Sequence, residues 1–170
     1  GGRHPLRLPF ALSLIESGAS VKIGVPKEIK VLENRVGLTT ESVREVVAHG
    51  HEVIVEHNAG LGIGMDDAAY AAAGAKVVGT AAEVFAAAEM IVKVKEPQAA
   101  ERAMLRTGQV LFTYLHLAPD PEQARDLVAS ESVCIAYETV TSPAGGLPLL
   151  APMSEVAGRM AVQAGAYYLE

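Results

Sequence analysis

Short, apolar, largely β-branched runs alternate along this chain with segments of helical spacing, and that alternation constrains its fold more than any other feature. The strand-like runs are Val21–Pro26, Glu52–His57, Lys76–Gly79, Met90–Lys95, 109–114 and 132–138. Between them lie helical patterns. Thr39 suits an N-cap, with Val43, Val46 and Val47 on one face before Gly50; Asp66 to Ala73 stops at Gly74. Ala81 to Ala88, the segment from Pro97 to Arg106, and 119–130 with Asp120 and Pro121 near its start complete the series. Strands separated by helices pair in parallel through crossovers, so the pattern predicts an α/β fold with a mostly parallel sheet. The near-continuous apolar character of 109–113 and 132–136 predicts strands buried on both faces.

The formal charge of −6 and pI near 5.4 argue against a nucleic-acid or anionic-membrane footprint, which needs a basic face. Cys134 is the lone cysteine, so neither a disulfide framework nor a cysteine metal site is expected, and a reduced, cytoplasmic setting fits. No apolar run approaches the ~20 residues that cross a bilayer. Residues 1–20 differ from the rest: Arg3 and Arg7, then Leu8–Ile15 interrupted by Pro9, then Glu16. They read as a disordered or spurious leader rather than a secretion signal, whose apolar centre would be longer and unbroken.

In an open α/β sheet, ligands bind outside the carboxyl ends of the strands. Lys95 ends one apolar run, His116 ends another, and Arg35 follows the first. Converging, they would form a pocket for a small carboxylate with a titratable imidazole beside it. Each residue has a plainer reading. Lys95 could be a solvated charge, and alternation does not choose between it and Lys93. His116, between Leu115 and Leu117, could be a core histidine, and Arg35 a surface charge. For function, imidazole titrates near neutral pH, and a guanidinium can fork onto a carboxylate as an ammonium cannot. Gly60-Leu-Gly-Ile-Gly64 follows a strand but lacks the spacing of a dinucleotide loop, and no helix opens from it. His51 and His57 have no metal-ligand spacing and read as surface residues.

From Pro152 or Met153, Val156, Ala157, Met160, Ala161, Ala164 and Tyr168 keep helical spacing to Glu170 with no stop signal. An apolar-faced helix without a cap reads as leading into further structure, and its exposed face would favour association.

Ile23-Gly-Val-Pro-Lys-Glu28, Glu33-Asn-Arg-Val-Gly-Leu-Thr39, Val92-Lys-Val-Lys-Glu-Pro97, Leu111-Phe-Thr-Tyr-Leu-His-Leu117, Ile135-Ala-Tyr-Glu-Thr139 and Leu149-Leu-Ala-Pro-Met-Ser-Glu-Val-Ala-Gly158 together resemble the alanine dehydrogenase family in order and spacing. The resemblance covers residues 21–170. It implies a Rossmann-like substrate domain over 21–150, and an inter-domain helix over 151–170 leading to an NAD-binding Rossmann domain missing here. It further implies NAD-dependent, reversible oxidative deamination of L-alanine to pyruvate and ammonia. Arg35 and Lys95 match the family's substrate-binding residues, and His116 its catalytic histidine. Ser154 matches a serine that contacts NAD. Family members are usually homo-oligomers, hexamers as a rule. Without the cofactor domain and its catalytic aspartate, the 170-residue chain alone is expected to be inactive.

Two smaller departures stand beside that one. Thr40 replaces the family's proline, and Val21 stands where such proteins usually begin with Met, so the leader reads as upstream sequence. The alternatives are the NAD-binding subunit of proton-translocating transhydrogenase, a saccharopine dehydrogenase, or a non-catalytic carboxylate-binding fragment. The transhydrogenase would not need a histidine at 116.

Overall fold

The computed structural model describes residues 19–169, so the leader lies outside the described residues apart from its last two. Six strands form one sheet: β1 (Lys22–Val25), β2 (Glu52–Glu56), β3 (Lys76–Val78), β4 (Met90–Val92), β5 (Val110–Thr113) and β6 (Val133–Ala136). Their order is β3-β2-β1-β4-β5-β6, and every pairing is parallel, where the sequence pattern required only a mostly parallel sheet. The helices are α1 (Thr40–Ala48), α2 (Asp67–Ala72), α3 (Ala81–Ala87), α4 (Ala99–Arg102), α5 (Pro121–Ala129) and α6 (Ala151–Leu169).

Successive strand residues point to opposite faces, and both faces are covered. In β2, Val53 and Val55 join Val25, Val43 of α1 and Tyr70 of α2, while Ile54 joins Val84 and Phe85 of α3 with Ile91, Leu111 and Leu127 of α5. The helix starts follow local chemistry. Thr39, Asp66, Thr80 and Asp120 each accept a backbone N–H from the first turn, satisfying donors that the helix cannot. Tyr70 hands its hydroxyl proton to Leu38 O at 2.8 Å, and burial pushes that phenol up to about 12.

Three boundaries and the burial of one strand depart from the sequence reading. The run Met90–Lys95 is strand only to Val92. Beyond it, the Glu28 carboxylate accepts Val94 N at 2.7 Å and Lys95 N at 3.4 Å, in the place a neighbouring strand would occupy. The chain therefore bends, and the two-residue alternation that would put Lys93 and Lys95 on one face ends. The segment after Pro97 holds a single helical turn, α4. β6 is half-buried throughout, because it is the sheet's edge among the described residues. α6 begins at Ala151, ahead of Pro152, a position near a helix start where proline's missing N–H costs nothing.

Two features fix the loop that follows β1. A Cβ on Gly37 would lie 2.8 Å from the Val92 carbonyl carbon, so only glycine lets this loop rest on the end of β4. Lys93 is fully buried, with its ammonium 2.6 Å from Glu101 of α4 and 3.2 Å from Glu28 of the β1 loop.

The two lysines therefore separate by stability. Lys93→Ala leaves two buried carboxylates without their counter-charge and costs about 3–5 kcal/mol. Lys95→Ala stays within about 0.5 kcal/mol. Urea unfolding of the two variants checks this, and equal losses would contradict it. Gly37→Ala forces a backbone shift costing about 1–3 kcal/mol in the same assay.

Candidate active site

With this strand order the sheet's connections change direction between β1 and β4, the switch point beyond whose carboxyl ends open α/β sheets bind ligands. Arg35 lies on the loop after β1, Lys95 just past β4, and His116 just past β5. Three adjacent strands thus deliver the three residues singled out in the sequence to one edge of the sheet.

A cleft of about 270 Å3 opens between the segments that follow β1 and β2, lined by Lys27, Glu28, Glu33, Arg35, Asn58 and Gly62 among others, with Arg35 but not Lys95 or His116 in its wall. Arg35 is half-exposed and held from one side. Glu33 accepts from its Nε at 2.8 Å, its Nη2 at 2.5 Å and its backbone N at 2.9 Å. Hydrogen bonding from Arg35, opposed by burial and aided by the charges of Arg35 and Lys95, holds the Glu33 carboxyl down to about 2. The opposite edge of the guanidinium stays open, with Nη1 donating to Met153 Sδ of α6 at 3.3 Å. Glu33 was not singled out in the sequence; its signal is the spacing Glu33-Asn-Arg35, which puts a carboxylate within reach of the guanidinium.

Lys95 is partly exposed, and Thr113 Oγ1 donates to its carbonyl at 2.9 Å. Its ammonium has no carboxylate within 4 Å among the described residues, whereas Lys93 is fully engaged by two. Lys30 and Glu96 form an ion pair across the β1 and β4 loops, beside Lys95.

His116 is exposed, against the core-histidine reading. Its backbone is left-handed, φ +47°, a conformation costing an ordinary residue about 1–2 kcal/mol. The Glu138 carboxylate after β6 offsets this by accepting His116 N at 2.8 Å and Leu115 N at 3.0 Å. Gln123 of α5 holds the other side of the turn, donating to Leu115 O at 2.6 Å. The ring stacks on Tyr114, centroids 6.2 Å apart and 20° from parallel. Tyr114 packs edge-on against Tyr137 at 4.9 Å and donates its hydroxyl proton to Leu149 O, ahead of α6. Burial pushes the Tyr137 phenol well up, so it stays a neutral wall. Glu138, like Glu33, was missed, because its partner lies 22 residues away in sequence.

Ser154 is exposed on α6, its Oγ donating to Leu150 O at 3.3 Å. The Gly60–Gly64 loop is a 3-10 turn packed too closely to cradle phosphates. A Cβ on Gly60 would meet Tyr70 at 2.5 Å, and one on Gly62 would meet Asn34 O at 2.6 Å. Among the described residues there is no cluster of side chains able to hold a metal. His57 pairs with Asp67 at the surface. No described helix is long and apolar enough to cross a membrane.

Glu33 also sets an acid limit. Its carboxyl titrates below its ordinary value of 4.5, so its pairing stabilises the fold above that pH and is lost as pH falls towards 2. The stability difference between the wild type and Glu33→Gln is expected to shrink from pH 5 to pH 2.5. Denaturant titrations across that range check it, and a constant difference would contradict it.

The family model described as "Alanine dehydrogenase/PNT, N-terminal domain" matches residues 24–157. Alanine dehydrogenase of Halomonas elongata is 59% identical over 150 residues, 88% of this chain and 40% of that protein. Those of Methanococcus maripaludis and Mycobacterium tuberculosis are 55% and 52% identical over 87% and 88% of the chain. The chain spans about 40% of the length of each of these curated relatives. A solved L-alanine dehydrogenase superposes with TM-score 0.82 at 52% identity, covering 88% of this chain and 41% of that one. A transhydrogenase from Sinorhizobium meliloti is more distant, TM-score 0.65 and 33% identity, covering 69% of this chain and 35% of that one. Matched over most of its length in sequence and in fold, the chain belongs to the alanine dehydrogenase/PNT N-terminal domain family.

Proposed function

We propose that this chain is the substrate-binding part of an enzyme that oxidatively deaminates L-alanine to pyruvate and ammonia, reversibly, with NAD as hydride acceptor. The supporting observation is that Arg35, Lys95 and His116 follow β1, β4 and β5, three adjacent strands, at the same carboxyl edge of the sheet. Similarity to named alanine dehydrogenases supports the same reading.

In this proposal the substrate carboxylate seats on the open edge of Arg35, whose other edge Glu33 already holds in plane. Lys95 places an ammonium against the carbonyl or imine and favours the negative charge that develops there. His116 exchanges protons with the water and amine groups, and the Glu138 clamp fixes where its ring stands. NAD supplies the hydride acceptor when bound. The described residues do not build its site beyond the exposed Ser154 hydroxyl, so hydride transfer is not assigned to them. Residues 21–150 are then the substrate domain and α6 the inter-domain helix, within a soluble, cytoplasmic homo-oligomer.

Pyruvate titrated into the isotopically labelled 170-residue chain is expected to shift the resonances of Arg35, Lys95 and His116. Arg35→Ala removes charge-assisted hydrogen bonds worth ~1.5–3 kcal/mol and weakens pyruvate about ten- to a hundredfold. The chain mixed with alanine and NAD is expected to form no NADH. An unresponsive spectrum would sink the site assignment, and NADH formation would sink the division of labour.

A further inference from the structure

We propose that Tyr114 is a positioning residue that sets the direction of the His116 imidazole. The inference rests on the reading of His116 as the proton-exchanging group, and names the side chain that aims its ring.

The turn that carries His116 is held through its backbone. Glu138 accepts the N–H groups of Leu115 and His116, and Gln123 donates to the Leu115 carbonyl. These bonds fix the left-handed backbone at His116 and say nothing of where its ring stands. An exposed side chain has several staggered rotamers open to it. The His116 ring makes no hydrogen bond among the described residues. Its aromatic partner there is Tyr114, with centroids 6.2 Å apart and planes 20° from parallel. That spacing falls within the range of offset stacks that aromatic pairs prefer.

Tyr114 can aim a neighbour because it is itself fixed. It is buried, and its backbone N–H donates to Val94 O at 3.2 Å. Its ring meets Tyr137 edge-on at 4.9 Å, and Tyr137 meets Phe112 edge-on at 4.2 Å. Its hydroxyl donates to Leu149 O. Backbone, ring edge and hydroxyl are thus each held, whereas the imidazole has only the stack. The contact with His116 adds little to the core, because the ring it touches is exposed. The Tyr137 and Leu149 contacts carry the part that Tyr114 plays in the fold.

The two roles separate by measurement. In the labelled 170-residue chain, three-bond couplings about the Cα–Cβ bond of His116 report whether its ring keeps one rotamer. A pyruvate titration of the same sample reads Arg35 and His116 independently. Tyr114→Leu removes the stacking face and lowers the preference for the held rotamer about two- to tenfold. The couplings are expected to average, and the His116 response to pyruvate to fall at least about twofold. The Arg35 response and the pyruvate dissociation constant should stay within about twofold of the wild type. Tyr114→Met, whose flexible side chain fills irregular gaps, takes its place if the Leu variant folds poorly. Tyr114→Phe keeps the ring against Tyr137 and should hold both His116 readouts at their wild-type values. Unchanged couplings or an unchanged His116 response in the variants without a ring overturn the inference alone. So does a parallel loss at Arg35 and His116, the result expected of a purely structural tyrosine. A wild-type chain that does not respond to pyruvate overturns the site reading, and this inference with it.

Discussion

The ammonium of Lys93, with no exposed surface and two carboxylates around it, is the constraint on which the rest of the structure depends. A buried charge is tolerable only when paired and hydrogen-bonded. Lys93 meets that condition by drawing in Glu28 from the loop after β1 and Glu101 from α4. Burial pushes the Glu101 carboxyl up, against the opposing pull of Lys93, so the cluster tolerates its surplus of acid. The triad has a further consequence. Glu28 is left with an oxygen for Val94 N and Lys95 N, where the chain bends out of β4.

The same device recurs at each strand that reaches the site. A carboxylate distant in sequence or adjacent in the loop accepts the backbone N–H groups that lose their ladder partner where the strand ends. Glu28 does this beyond β4, Glu138 beyond β5, and Glu56 for the Lys27 N–H just past β1. Unpaired N–H groups at strand ends are costly when they leave water. Satisfying them with carboxylates also places negative charge at the backbone of Lys95 and His116.

How far the sequence reveals this depends on the range of the interaction. The alternation of strands and helices, and caps such as Thr39 and Asp120, act within a few residues and are legible directly. Arg35, Lys95 and His116 are legible as candidates because strand ends are where ligands bind. The choice between Lys93 and Lys95 is not, since it is made by Glu28, 65 residues from Lys93. The half-buried state of β6 follows from its place at the sheet edge, which its apolar composition does not reveal. The left-handed turn at His116 is held by Glu138, and a histidine between two leucines gives no hint of it.

Arg35 joins these themes, because its two edges are held by partners of different strength. Towards Glu33 it makes charge-assisted bonds that are short and geometrically matched. Towards α6 it meets only the thioether of Met153, a weak acceptor. Under the proposed function, an incoming carboxylate would compete with the second and not the first. The guanidinium plane is thus fixed in advance by the strong pair, so little ordering cost falls on ligand binding. The weak contact keeps the open edge partly satisfied until a better acceptor arrives. Its position on the first turns of α6 also means that the edge offered to a carboxylate lies against the one helix whose apolar residues Val156 and Met160 remain exposed.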